Sequence, residues 1–158
     1  MSLKSYLVGR KTLNDMQDLL IEELKDLYDV ETRIIDALPK MEKAADHPEL
    51  KQAFESHLVQ THRQKQRLEQ CFDLLGMEPE RETCEGIKGI LEEGELLIRA
   101  EGNARVKDAA LIAAAQRVEH YEIAAYGAAR TFAQHLDEQG GLDCCKKPST
   151  KKASPTIG

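Results

Sequence analysis

Apolar residues recur along most of this chain in steps of three and four, the spacing that aligns side chains on one face of a helix. The first stripe reads Leu20, Leu24, Leu27, Glu31, Ile34, Leu38, Met41, and it predicts a helix from Thr12 or Asn14 to Ala45. Thr12 or Asn14 can cap its start, with Asp15 and Asp18 suiting the positive end of the dipole. Pro39 should kink this helix or split off its last turn. Asp46-His47-Pro48-Glu49 makes the turn, with Asp46 or His47 as the cap and Pro48 in the first helical position. The second stripe is Leu50, Phe54, His57, Thr61, Gln64, Leu68, Cys71, Leu75, in a helix that stops at Gly76.

From Met77 to Gly102 the pattern weakens, broken by Pro79, Gly86, Gly89 and Gly94. A short amphipathic segment over Glu85–Ile98 reads as a crossover element. The third long helix is expected from Ala104 to Glu138 on the stripe Leu111, Ala115, Val118, Glu122, Ala125, Ala129, Phe132, Leu136. The alternation of fours and threes is that of a helical bundle seam. Beyond Gly140-Gly141 the periodicity ends, and prolines and paired lysines take over, the composition of a disordered tail. The reading is one bundle domain over 12–140 and a tail over 141–158.

Composition agrees with an all-α chain. Of 158 residues 41% are apolar and 32% charged, but only 4% are aromatic, and runs of β-branched residues are nearly absent. No stretch suits a signal peptide or a membrane span, and the four cysteines have neither zinc spacing nor a secreted disulfide pattern. A cytoplasmic location is therefore expected. The net charge of −6 argues against nucleic acid as a main partner. No nucleophile triad or phosphate loop is present, so no complete catalytic constellation is seen.

The informative residues are the polar ones inside the stripes. A carboxylate in an apolar seam must be neutralised, paired or bound to a metal, because a bare buried charge is too costly. Glu31, His57 with Gln60, and Glu119 with Glu122 fall near mid-length of three helices. If the helices pack side by side, these groups meet at one level. Carboxylate-bridged di-iron or di-manganese centres in bundles are built from such groups, and oxygen-rich ligands with some imidazole suit iron or manganese better than zinc. Glu31, His57, Glu119 and Glu122 are thus the candidate metal ligands. The competing reading is structural: a seam glutamate turned outward, a histidine satisfied by hydrogen bonds, and a metal-free interaction module. His62 and His120 lie off the stripes. Tyr28 and Tyr121 or Tyr126 fall near the level of the site.

The runs Glu23-Leu-Lys-Asp-Leu-Tyr-Asp-Val-Glu31, Asp108-Ala-Ala-Leu-Ile-Ala-Ala-Ala115 and Val118-Glu-His-Tyr-Glu-Ile123 resemble the bacterial YciE/YciF family of ferritin-like stress proteins. The likeness also takes in Ala37-Leu-Pro-Lys-Met41, Pro48-Glu-Leu-Lys51, His57-Leu58, Arg67-Leu-Glu69, Leu74-Leu-Gly76 and Tyr126, so it covers roughly residues 13–138. It implies a ferritin-like antiparallel bundle, commonly a homo-dimer, linked to stress responses and with a suggested di-metal site. No small-molecule substrate is implied. The family's acidic positions fall on Glu31, Glu119 and Glu122, with His57 also matching. Two departures stand out: the family usually has Glu where this chain has Gln60, and it continues past Gly140 into another long acidic helix.

The tail offers a reason for the second departure. The codons of Asp143-Cys-Cys-Lys-Lys-Pro-Ser-Thr-Lys-Lys152, read from one base earlier, force Leu-Leu and permit Gln-Glu-Thr-Leu-Asp-Glu-Glu, with Thr-Asp further on. The tail is thus expected to be the family's last helix read out of frame, and sequencing the gene tests this. A bundle lacking that helix should expose apolar stripes and self-associate.

Overall fold

The computed structural model describes residues 11–136, and among them it contains four α-helices and no strand. They are α1 (Met16–Ala44), α2 (Pro48–Leu74), α3 (Glu85–Arg99) and α4 (Ala104–Leu136). The expectations for residues 137–158, including the last helical turn to Glu138 and the out-of-frame tail, lie outside the described residues.

The helix ends follow local chemistry. Asp15, rather than Thr12 or Asn14, caps α1, its carboxylate accepting the Asp18 N–H at 2.8 Å. Pro39 lies inside α1, and the helix runs on to Ala44, so its last turn is not split off. His47 caps α2 through Nδ1, and Pro48 opens that helix. At its far end Gly76 takes φ +69°, with Met77 N–H bonded to Phe72 O and Gly76 N–H to Asp73 O, a Schellman closure. Asn103 caps α4, accepting the N–H groups of Arg105 and Val106.

Two buried aspartates hold the elements together over long stretches of sequence. Asp29 of α1 accepts the Cys84 N–H at the start of α3 at 2.9 Å, and it also takes Arg33 and Arg81. Asp108 of α4 accepts the N–H groups of Asp46 and His47 at 2.8 and 2.9 Å, fixing the start of α2. Each satisfies backbone donors that a helix start leaves open.

All seven stripe positions of α1 are buried. Helix α1 packs against α2, α3 and α4, and α3 packs on α4. The first residues of α1 share a core with the last of α2 and α4 (Leu20, Leu24, Leu27 with Leu68, Phe72, Ala129, Ala133). Its last residues share another with the first of α2 and α4 (Ile34, Leu38, Met41 with Leu50, Phe54, Leu111, Val118). Helix α1 is therefore antiparallel to both, and the chain is a ferritin-like antiparallel helical bundle. Its core comes in two apolar blocks, and what lies between them is polar.

Candidate metal centre

The buried polar residues Glu31, His57, Thr61, Gln64 and Glu122 occupy the middle positions of α1, α2 and α4, between the two apolar blocks. Each sits where the helical repeat puts a core residue, so the fold carries these groups inward whether or not they suit an apolar medium. Glu31 and Glu122 are fully buried.

Three of them converge. His57 Nε2 lies 3.2 Å from Glu119 Oε1 and 3.7 Å from Glu122 Oε2. One ligand atom from each of His57, Glu119 and Glu122 falls within 4.8 Å of the others. The i, i+3 spacing of Glu119 and Glu122 puts both on the same side of α4, facing α2. Around them, Gln64 Nε2 donates to Glu122 Oε1 at 3.4 Å, and Thr61 Oγ1 donates to the His57 carbonyl at 2.9 Å. Glu31 is not part of that trio. Its Oε1 accepts the Tyr126 hydroxyl at 2.6 Å, one turn along α4 from Glu122.

The remaining candidates fall elsewhere. His62 and His120 are exposed. Gln60 lines a groove beside His57 and Glu119. Tyr28 donates to Glu69 at 3.1 Å, and burial, followed by that bond, holds its hydroxyl pKa above the ordinary value. Tyr121 turns the other way, 2.8 Å from Cys84 Sγ; burial first and the Cys84 contact second raise its pKa well above normal. Tyr126 alone of the three tyrosines binds a seam carboxylate. Periodicity cannot distinguish it from packing, because donor direction depends on which helix stands opposite.

Fold and site together define a class: an all-helical bundle whose core is interrupted at mid-length by carboxylates and an imidazole. The model of the domain of unknown function DUF892 matches residues 15–151. Protein YciF of Escherichia coli K12 is 39% identical over 125 residues, covering 78% of this chain and 75% of that protein. Among solved structures, YcfI of Rhodopseudomonas palustris matches with TM-score 0.81 and 36% identity, over 89% of this chain and 88% of that one. The crystal structure of the E. coli stress protein YciF matches with TM-score 0.79 and 36% identity, over 84% of each chain. The chain belongs to this YciF-containing DUF892 family.

Proposed function

We propose that this chain is a ferritin-like stress-response protein of the cytoplasm that binds iron or manganese through His57, Glu119 and Glu122. The observation that carries the reading is the convergence of one imidazole nitrogen and two carboxylates in a buried layer. A core built only for stability gains more from apolar residues at such positions than from charges that must be desolvated. The stress role rests on the likeness to the E. coli stress protein YciF.

The donor set suits a single ion. A bridged pair in a bundle is usually held by a Glu from each of two helices and a Glu-x-x-His motif from each of the other two. The trio and Glu31 supply three carboxylates and one imidazole, and Gln60 adds only a neutral amide. His57 would bind an ion through the lone pair of Nε2, the nitrogen that faces Glu119 and Glu122. Gln64, bonded to Glu122, fixes one oxygen of that carboxylate and leaves the other towards His57. Tyr126 orients Glu31 beside the site. When bound, iron or manganese supplies one-electron redox chemistry that the side chains alone lack.

A metal-free reading has one observation in its favour: His57 and Glu119 already satisfy each other at 3.2 Å. Metal analysis of chain expressed in iron- and manganese-supplemented medium separates the two. Near-stoichiometric metal that disappears in His57→Ala supports the centre. A yield below about 0.1 ion per chain, unchanged by that substitution, leaves only buried polar pairing.

A further inference from the structure

Helices α1 and α3 run parallel with a constant offset. Asp29 of α1 accepts the Cys84 N–H at the start of α3, and further along Lys40 Nζ lies 3.5 Å from Glu95 Oε2. The members of each pair are 55 positions apart, so Arg33 stands opposite Lys88, and Asp36 opposite Leu91 and Glu92. Between the two helices lies a groove of about 270 Å³, with half-buried Ala37 and Leu91 in its lining and charged side chains around them.

At one end of the groove Arg33, Arg81 and Lys88 come together. Buried Asp29 holds both guanidinium groups on one carboxylate through Nε, and their Nη nitrogens make no hydrogen bond to the described residues. Lys88 Nζ reaches Glu85 at 2.9 Å yet is close enough to Arg33 to be repelled by it. The side chains of Arg33, Arg81 and Lys88 are 26, 44 and 39% exposed, so an incoming anion reaches all three. One turn further on, Asp36 and Glu92 stand across the groove from each other, and neither forms an ion pair with the described residues. At the third level opposite charges meet, Lys40 with Glu95. A face kept merely soluble would pair opposite charges at each level, since like charges set opposite each other repel. This groove instead has a positive end and a negative middle. Three to four helical residues separate them, a rise of about 4.5–6 Å.

We propose that the α1–α3 groove binds a small zwitterion of the aminoalkyl phosphate class, its phosphate on Arg33, Arg81 and Lys88 and its ammonium between Asp36 and Glu92. Two guanidinium forks and a lysine suit a doubly charged phosphate better than a carboxylate. A two-carbon bridge to the ammonium matches the distance between the levels. The same group occurs as a free phosphomonoester and as the headgroup of phosphatidylethanolamine. The groove shares no residue with His57, Glu119 and Glu122, so the test is run in EDTA.

The full chain is titrated with phosphoethanolamine by calorimetry at neutral pH and low salt, where charge is least screened. One-to-one binding with a dissociation constant of about 1 mM or tighter is expected, and inorganic phosphate or ethylamine alone should bind about tenfold more weakly or worse. Lys88→Ala and Asp36→Ala, on opposite walls and outside the core, should each weaken the zwitterion by about tenfold and leave the melting temperature unchanged. Glu92→Lys should invert the preference, so that inorganic phosphate binds better than phosphoethanolamine. Vesicles distinguish the two sources. Cosedimentation with equal parts phosphatidylethanolamine and phosphatidylcholine, but not with phosphatidylcholine alone, and lost in Lys88→Ala, assigns the lipid headgroup. Binding of the free compound without the vesicles assigns a soluble phosphomonoester. The proposal is overturned if neither form binds up to about 20 mM, a range that already admits weak complexes. It is also overturned if inorganic phosphate binds the parent as tightly as the zwitterion, or if both alanine variants bind like the parent.

Discussion

Replacing Glu122 with leucine tests whether the polar layer exists for stability or for binding. Glu122 is fully buried, between apolar blocks that contain Val118 on one side and Ala129 on the other. Burying a leucine side chain contributes about 1.5–3 kcal/mol. Removing the carboxylate also removes a desolvation cost of several kcal/mol. Against this stand the lost contact with His57 and the Gln64 amide left without its acceptor, together about 1–3 kcal/mol. The first two outweigh the last, so the balance for metal-free protein is a gain of about 1.5–5 kcal/mol. For a chain of this length each kcal/mol moves the melting temperature by about 2–4 °C. Calorimetry in EDTA should therefore show Glu122→Leu melting above the parent. Adding manganese at a hundredfold excess over its dissociation constant should raise the parent by about 2.7 kcal/mol and leave the variant where it was. A variant that loses more than about 2 kcal/mol in EDTA, where the lost interactions alone decide, would refute the reasoning and make Glu122 a structural residue.

Other expectations follow from single residues. Asp29 is pushed up by burial, but its bonds from Arg33, Cys84 N–H and Arg81 outweigh this and hold its pKa below normal. Its contribution is thus present above the unfolded value and lost as pH falls below about 4. Asp29→Asn should cost about 2–3 kcal/mol at neutral pH, less than a fully buried pair because Arg81 is partly exposed, and flatten the acid limb of a pH–stability profile. Glu23 and Asp26 have the opposite sign. Burial raises both, so stability falls as pH rises from their ordinary values through the raised ones, and Glu23→Gln with Asp26→Asn should raise the melting temperature at pH 7. Gly86→Ala puts a Cβ 2.9 Å from Tyr121 Cε2 and should destabilise by about 1–3 kcal/mol. Gly89→Ala in the same helix meets open space and should stabilise by about 0.5–1 kcal/mol, as paired urea titrations would show. Gln60→Glu should increase metal occupancy, measured by elemental analysis, by adding a carboxylate beside His57.

The α1 stripe was fully legible because its seven positions face partners on every side. On α2 the stripe drifts at its end, where Phe72 is buried and Leu75 only half-buried; a 3.6-residue turn slips against a 3.5-residue seam. On α4, Leu111, Val118, Glu122 and Ala129 are buried as expected. Ala114, Tyr126 and Ala133 take the places assigned to Ala115, Ala125 and Phe132, which are half-buried, and Leu136 is exposed. That helix packs on both α1 and α3, so its buried face is broader than one seam, and its many alanines give the pattern little contrast. His57 and Glu122, both on their stripes, meet Glu119, which stands beside the α4 stripe, whereas Glu31 is outside that trio and accepts the Tyr126 hydroxyl. Asp29 and Asp108 gave no local signal of the helix starts they hold, since the backbone N–H groups they accept lie more than fifty residues away. A helix cap supplied from another helix is visible only once the bundle is assembled.

The most direct test of a metal centre in this layer is crystallographic. Crystals of the chain grown with manganese should give an anomalous peak at the manganese edge among His57 Nε2, Glu119 and Glu122, absent in Glu122→Ala. Anomalous signal only at exposed surface carboxylates, with the His57–Glu119 contact intact, would contradict the account.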